Sequence, residues 1–367
     1  MNSSPTANIQ VAGNIEKVFP TLSAAHMARF AARGELRRVQ KDEVLALPGD
    51  SGVHFFLVKS GQIEILQSSI PGERLIALLS PGMFTGEVSM LSARRSIVRI
   101  RVSQAGEIID LDRDQLMEII RSDSELSEIL MRAFILRRVE LIAQGFGDVT
   151  VIGSRYCNGT LRVKEFLMRN GQPYTSVDME GDDGIKELLE HFHVVREDIP
   201  VVICRGEMVL RKPTNRELAD CLGFNEAIDT TKVRDLVVVG AGPAGLAAAV
   251  YGASEGLDVL VIESHAPGGQ AGSSSKIENY LGFPMGISGQ ELAERAYTQA
   301  QKFGAQMMIA KGATELKCQR RPYILDLDDD ERIKTKAIII ATGAQYRRLK
   351  VENIDKLEGI GGSVPET

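Results

Sequence analysis

Apolar and polar residues follow different periods in successive stretches of the chain. Residues 53–67, VHFFLVKSGQIEILQ, have the apolar and β-branched content of strands, and Pro-Gly pairs nearby supply turns. From Arg113 the apolar residues recur at helical spacing, which predicts two helices broken near residues 122–124 and ended by a glycine, Gly145 or Gly147. The pattern therefore predicts a β-rich domain followed by helices.

The next stretch alternates strands with helices. VTVIGS, YTSVDM and PVVICRGEMVL are typical of strands, the last of them a hairpin turning at Arg205-Gly206. TLRVKEFLMRNG, GIKELLEHF and ELADCLGF are typical of helices. The order βαβαββα predicts a small α/β domain over residues 149–224, and a polar linker at 225–234 leads into a further α/β stretch.

That last stretch opens with a glycine-rich turn between a strand and a helix. Gly240, Gly242 and Gly245 form G-x-G-x-x-G after an apolar strand, and Glu263 ends the next strand 23 residues after Gly240. In this setting the motif predicts a dinucleotide site, because the glycines permit a tight turn and let the backbone approach a diphosphate. Glu263 would accept hydrogen bonds from ribose hydroxyls and repel a 2′-phosphate, which argues against NADPH at this turn.

Three short elements near this turn resemble thioredoxin reductase. They are Gly268-Gly269-Gln270, Glu278-Asn279-Tyr280 and a strand ending in Ala341-Thr342-Gly343. The resemblance implies an FAD-dependent oxidoreductase in which NADPH reduces the flavin and the flavin passes electrons onward. The residues that it implies for FAD binding are Gly240, Gly242, Pro243, Ala244, Gly245, Glu263, Gly268, Gly269, Gln270, Asn279, Thr342 and Gly343. The alternative is a doubly wound domain with an empty groove.

Two elements of that family are not found in the sequence. No second glycine fingerprint follows a strand, and no two of the four cysteines form a CxxC pair. NADPH is therefore expected for the family but has no site in this chain. We expect a C-terminally truncated chain whose full catalytic cycle is crippled unless a partner supplies the missing half. The alternative is a non-enzymatic sensor or docking module.

Residues 82–102, GMFTGEVSMLSARRSIVRIRV, resemble the phosphate-binding cassette of the cyclic-nucleotide-binding family, which has a jelly-roll barrel. In that family a helix N-terminus and a guanidinium neutralise a cyclic phosphate. The resemblance implies Gly86 and Glu87 at the ribose and Arg95 and Ser96 at the phosphate. The stretch from Glu87 to Arg95 is shorter than the usual spacing, which moves Arg95 off the phosphate or recruits the arginine before it. The alternative is a barrel kept as a docking platform, with Glu87 and Arg95 as an ordinary ion pair.

The middle stretch resembles glutaredoxin. Cys157 falls on the first cysteine position of that family's CxxC and Thr160 on the second, and Ile199-Pro200 falls on its cis-proline. A thiol at a helix N-terminus is favoured as the thiolate, so Cys157 is a weak candidate for a catalytic residue. Threonine cannot act as the resolving sulfur, which leaves one-cysteine chemistry or a docking domain with an incidental thiol.

We therefore predict a multidomain chain. It consists of a β jelly-roll barrel with C-terminal helices (1–147), a thioredoxin-like α/β domain (148–226) and an incomplete Rossmann-like FAD-binding α/β domain (233–367). The net charge of −6 argues against a nucleic-acid surface, and the glycines among the uncharged residues 236–254 argue against a membrane span. No metal site is expected, because the one close histidine pair, His191 and His193, is spaced so that the two side chains would point in different directions on a helix. A cytoplasmic location is expected, because the N-terminus does not resemble a signal peptide. A cyclic-nucleotide effector, a redox partner protein or small disulfide, and a homodimer remain open.

Overall fold

The computed structural model describes residues 15–69, 72–86, 90–91, 95–143, 149–179, 194–204, 208–225 and 228–344. The chain divides into two compact units, residues 1–148 and 149–367. Within the second unit, residues from both predicted α/β stretches share one buried core, so their division into separate domains stays a prediction. Among the described residues, no helix is both long enough and apolar enough to cross a membrane.

The first unit is an antiparallel sheet followed by helices. Its elements are α1 (Ile15–Val18), α2 (Ala24–Ala31), β1 (Glu35–Val39), β2 (Val44–Ala46), β3 (Phe55–Ser69), β4 (Gly72–Leu79), β5 (Arg99–Leu111), α3 (Arg113–Ser122) and α4 (Ser124–Ala143). The strand order is β1-β5-β3-β4, with β2 also paired to β5. The strand content predicted for 53–67 is confirmed as the single long strand β3. The predicted break between the helices is also confirmed, because Asp123 has an extended backbone and its carboxylate accepts from the Leu126 N–H at 3.1 Å.

The second unit begins with a mixed sheet. Its elements are β6 (Val149–Gly153), α5 (Asn158–Arg169), β7 (Thr175–Asp178), β8 (Val201–Cys204), β9 (Met208–Arg211) and α6 (Asn215–Leu222). The order is β7-β6-β8-β9, with β6 parallel to β7 and β8 antiparallel to both β6 and β9. The predicted helix GIKELLEHF and the turn at Arg205-Gly206 lie outside the described residues. The Ile199–Pro200 peptide bond is cis, as predicted.

A six-stranded sheet forms the rest of this unit. Its elements are β10 (Val233–Val239), α7 (Pro243–Ser254), β11 (Val259–Glu263), α8 (Gly289–Lys302), β12 (Gln306–Ile309), β13 (Ala313–Lys317), β14 (Tyr323–Leu327) and β15 (Arg332–Ile340). The order is β12-β11-β10-β15-β14-β13. Strand β10 is parallel to both β11 and β15, so the chain leaves it toward one side of the sheet and returns on the other. In open α/β sheets, ligands bind at the carboxyl ends of strands at such a switch point.

Side-chain contacts connect the four-stranded and the six-stranded parts of the second unit. The rings of Phe166 and Phe224 lie 6.0 Å apart in the shared core. The Asn225 amide donates to the carbonyl of Ile309 at 3.1 Å and accepts from its N–H at 2.7 Å, so it acts as an extra strand pair at the end of β12. Arg216 on α6 also forms an ion pair with the buried Asp329 between β14 and β15.

Candidate functional site

The glycine-rich turn after β10 can be made only by glycine at two positions. Gly240 has a φ of 100°, and a Cβ atom on it would lie 2.4 Å from the carbonyl oxygen of Ala341. A Cβ atom on Gly245 would lie 1.9 Å from the carbonyl oxygen of Gly240. Both distances are far below van der Waals contact, so the turn packs directly on helix α7 and on the loop after β15.

Gly242 differs from these two glycines because it faces open space. It is the N-cap residue of α7, and Pro243 follows at the first helical position, where no N–H is needed. A Cβ atom on Gly242 would have a single neighbour within 4 Å, the Cα of Gly269 at 3.8 Å. The positive end of the helix dipole and its unsatisfied N–H groups lie at this opening, an arrangement that favours an anion such as a phosphate. Ala244 is exposed in the first turn of the helix.

Two further loops meet the glycine-rich turn. Gly268, with a φ of 102°, donates its N–H to the carbonyl of Ala241 at 2.8 Å. The side-chain amide of Gln270 donates to the carbonyl of Ala344 at 2.7 Å, which joins the second loop to the third. The third loop, residues 341–344, starts where the Ala341 N–H donates to Val239 at 2.8 Å and carries Thr342 and Gly343. Three loops from β10, β11 and β15 thus converge at one edge of the sheet.

The carboxylate of Glu263 is already anchored by the backbone. One oxygen accepts from the N–H of Ala241 at 2.7 Å and the other from the N–H of His265 at 2.8 Å, and the residue is 8% exposed. A carboxylate oxygen has more than one lone pair, so each oxygen can still accept a hydrogen bond from a ligand hydroxyl. The sequence predicted the bonds to a ligand but not the bonds to the backbone. Asn279, the remaining predicted residue, lies on an exposed segment next to the antiparallel bridge between Ile277 and Ile287.

Cys157 lies at the N-cap of α5 and is half-buried. Burial opposes its ionisation, but the N–H and hydroxyl of Thr160, the N–H of Gly159 and the charge of Lys212 outweigh burial, so the pKa of the Cys157 thiol is lowered. The Thr160 side chain is fully buried, and its hydroxyl has no other hydrogen-bond partner among the described residues. The positions singled out in the sequence are brought together: a Cβ atom on Gly159 would lie 2.9 Å from Pro200 and 3.7 Å from the Cys157 sulfur.

The predicted cassette of the first unit is described only in part. Glu87 lies outside the described residues, Arg95 is half-buried, and the Ser96 hydroxyl donates to Val98 at 2.9 Å. Gly86 has a φ of 104°, and its carbonyl accepts from the buried guanidinium of Arg137 on α4 at 2.8 Å. The entrance to the cassette is therefore held by the long helix that follows the barrel.

Comparisons with known proteins find relatives for the region around the glycine-rich turn and for the sheet of the first unit. Residues 234–366 match the family described as pyridine nucleotide-disulphide oxidoreductase, and residues 36–123 match the family described as cyclic nucleotide-binding domain. Thioredoxin reductase of Bacillus subtilis is 38% identical over 132 residues, covering 36% of this chain and 41% of the relative. Thioredoxin reductase of Ureaplasma parvum is 42% identical over 120 residues, covering 33% and 38%. The solved thioredoxin reductase of Streptococcus pyogenes is 38% identical, covering 32% and 38%, with a TM-score of 0.31.

The chain thus carries a segment that matches an oxidoreductase family and a segment that matches a cyclic nucleotide-binding family. This combination is consistent with a fused protein that is similar to thioredoxin reductase in its C-terminal part. It spans about two fifths of the length of the curated relatives that it matches.

Two contacts at the site were not predicted from the sequence. One is the bond from Gln270 to Ala344, and the other is a bond from Arg169 on α5 to the carbonyl of Gly269. Neither residue type nor spacing indicates such a pair, because the partners are 74 and 100 positions apart. No cluster of potential metal ligands occurs in the part of the chain that the structure describes.

Proposed function

We propose that this protein is an FAD-dependent oxidoreductase of the thioredoxin-disulfide-reductase type, which takes electrons from NADPH and passes them to a disulfide or another acceptor. The observation that carries the proposal is the convergence of three loops at the carboxyl ends of β10, β11 and β15. The residues proposed to hold FAD are Gly240, Gly242, Pro243, Ala244, Gly245, Glu263, Gly268, Gly269, Gln270, Asn279, Thr342 and Gly343.

The residues present fit a bound dinucleotide. The open face of Gly242 would let a diphosphate approach the start of α7, and the anchored carboxylate of Glu263 has lone pairs left to accept hydrogen bonds from ribose hydroxyls. Gln270 joins the loop after β11 to the loop after β15. Together with the glycine-rich turn after β10, these loops form what we call the dinucleotide cradle. When bound, FAD supplies the redox chemistry, and the protein binds and orients it.

The absorption spectrum of the purified chain tests this proposal. We expect flavin bands at one FAD per chain, with FAD identified by chromatography after release, either as purified or after incubation with excess FAD. A folded chain that retains no FAD would contradict the proposal. Reduction of the bound flavin by NADPH then distinguishes an oxidoreductase from a module in which FAD has only a binding role.

We further propose that the first unit senses a cyclic nucleotide and thereby regulates the redox domain. The match of residues 36–123 to the cyclic nucleotide-binding family supports this role, as does the bond from Arg137 to the cassette entrance at Gly86. In the proposed site, Gly86 and Glu87 hold the ribose, and Arg95 and Ser96 hold the phosphate. A ligand in the cassette would then act on α4 through Arg137.

Cyclic AMP or cyclic GMP is expected to raise the melting temperature of the first unit. A ligand at a hundred times its Kd stabilises the folded state by about 2.7 kcal/mol, which corresponds to several degrees. Arg95→Ala should abolish the shift, because a guanidinium on the phosphate is lost. The control is Arg132→Ala, since Arg132 is exposed and, among the described residues, forms an i,i+4 ion pair with Glu128 on the surface of α4. The absence of a shift in the unsubstituted protein with either nucleotide would refute ligand binding.

For residues 148–226 we propose a thioredoxin-like domain with a one-cysteine activity as a second candidate function. The sheet order β7-β6-β8-β9 and the contact of Gly159 with Pro200 support the fold. The lowered pKa of Cys157 supports the activity. The Cys157 thiolate would attack one sulfur of a disulfide and release the other as a thiolate. Glutathione would then attack the mixed disulfide and regenerate Cys157.

The pH dependence of Cys157 alkylation tests this activity. In a Cys318→Ser background, the midpoint for reaction with iodoacetamide should lie below that of the same chain unfolded in guanidinium chloride. Thr160→Val should move the midpoint to higher pH, because it removes the hydroxyl that stabilises the thiolate. Thr298→Val is the matched control, since the Thr298 side chain is also buried but lies on α8, where its hydroxyl has no partner among the described residues. Equal midpoints for the folded and unfolded chains would argue against the proposed chemistry.

A further inference from the structure

The C-terminal end of α5 contacts the backbone beside the dinucleotide cradle. Arg169 donates from Nη2 to the carbonyl of Gly269 at 2.6 Å, and the Asn170 amide donates to the carbonyl of His265 at 3.4 Å. In the reverse direction, the Gln290 amide donates to the carbonyl of Met168 at 3.3 Å. The C-terminal end of α5 thus contacts the loop that follows β11, which begins after Glu263 and contains Gly268 and Gly269.

The positive charge of Arg169 is poorly compensated by acidic groups. Its side chain is 21% exposed, and Glu165, its salt-bridge partner among the described residues, lies 3.8 Å away with 61% of its side chain exposed. The Arg169 Nε is buried and has no hydrogen-bond partner in the described part of the chain. A charge kept from water in this way is stabilised by a nearby anion.

The position of this charge relative to helix α7 indicates which anion it would meet. Gly269, whose carbonyl accepts from Arg169, packs against Gly242 at the N-cap of α7, since a Cβ atom on Gly269 would lie 2.9 Å from the Cα of Gly242. A single residue, Gly269, thus contacts the guanidinium through its carbonyl and packs against the N-cap of α7. A diphosphate bound at this helix N-terminus would therefore lie next to the loop that Arg169 contacts.

We propose that Arg169 is a positioning residue of the dinucleotide site, supplied by the middle α/β segment. It holds the Gly268–Gln270 loop through the Gly269 carbonyl and places a positive charge beside the cofactor's diphosphate. The affinity for the dinucleotide therefore depends on the docking of a segment that lies outside the dinucleotide fold. This inference rests on the proposed FAD site and adds a residue that the glycine motifs do not contain.

Titration of the cofactor-free chain with FAD and with ADP tests the inference. Arg169→Gln should raise the Kd for both ligands about tenfold or more, because both carry the diphosphate and a charged hydrogen-bonding partner is lost. The Kd of the unsubstituted protein should also rise more steeply with salt than that of Arg169→Gln, since one charge fewer is screened. Arg169→Lys should restore the salt dependence and part of the affinity.

Arg162→Gln is the matched control for this titration. Arg162 lies on the same helix but donates to Asn215 at 2.7 Å and to Pro213 at 2.5 Å, away from the glycine loops. If Arg169→Gln binds FAD and ADP as the unsubstituted protein does, or loses affinity with an unchanged salt dependence, the inference is overturned while the FAD proposal stands. If the unsubstituted protein binds neither ligand, both are overturned.

Discussion

Gly245→Ala is expected to destabilise the second unit strongly. The added Cβ atom would lie 1.9 Å from the carbonyl oxygen of Gly240 and 3.3 Å from the Val238 side chain, and the backbone oxygen cannot move without opening the turn. Overpacking against backbone lowers the free energy of unfolding by about 3 kcal/mol or more. Urea unfolding followed by far-UV circular dichroism measures this loss, and FAD retention should be lost with it.

The control for this substitution is Gly256→Ala, in the turn after α7. Gly256 has a φ of 82°, but a Cβ atom there would meet nothing within 4 Å. Only the strain of a left-handed conformation remains, about 1 kcal/mol. If Gly245→Ala were no less stable than Gly256→Ala, the close contact of helix α7 with the glycine-rich turn would be wrong.

Gly242→Ala is expected to separate binding from stability. Its Cβ atom would have one neighbour, the Gly269 Cα at 3.8 Å, and the residue has an ordinary extended backbone with φ −69°. The free energy of unfolding should therefore stay within about 0.5 kcal/mol or rise slightly. The Kd for FAD should rise about 100-fold, roughly 2.7 kcal/mol, because the methyl group would occupy the space through which the diphosphate is proposed to approach the helix.

Isothermal titration with FAD, alongside urea unfolding of the cofactor-free protein, measures both quantities. Unchanged FAD affinity in a stable Gly242→Ala protein would place the diphosphate elsewhere. A loss of stability as large as that of Gly245→Ala would instead show that Gly242 is required for packing. The pair of variants therefore tests whether neighbouring glycines of one motif have different physical roles.

The elements around the cradle were predictable because their signals are local. The apolar run before Gly240, the glycine spacing and the acid at Glu263 specify strand, turn, helix and strand within 30 consecutive residues. The break at Asp123 was likewise predictable from the polar residues around it. The turn at Cys157 and the cis bond at Ile199–Pro200 were predicted from the resemblance to glutaredoxin.

The pattern along the chain did not indicate how the second unit is assembled. The periodicity predicts two α/β stretches, and only their packing shows that both contribute to one buried core. The sequence analysis also missed the hydrogen bonds that the Glu263 carboxylate accepts from backbone N–H groups, because an acid at the end of a strand indicated only that it binds a ligand. Its anchoring depends on where the Ala241 and His265 N–H groups lie after folding.

Local sequence was thus sufficient to predict the glycine-rich turn between β10 and α7, since it is encoded by residues close together in the chain. The folded structure alone joins Gln270 to Ala344 and Arg169 to Gly269. These pairs are brought together by sheet order and by the packing of α5. Every residue has a backbone carbonyl, so the sequence does not show which one will accept such a hydrogen bond.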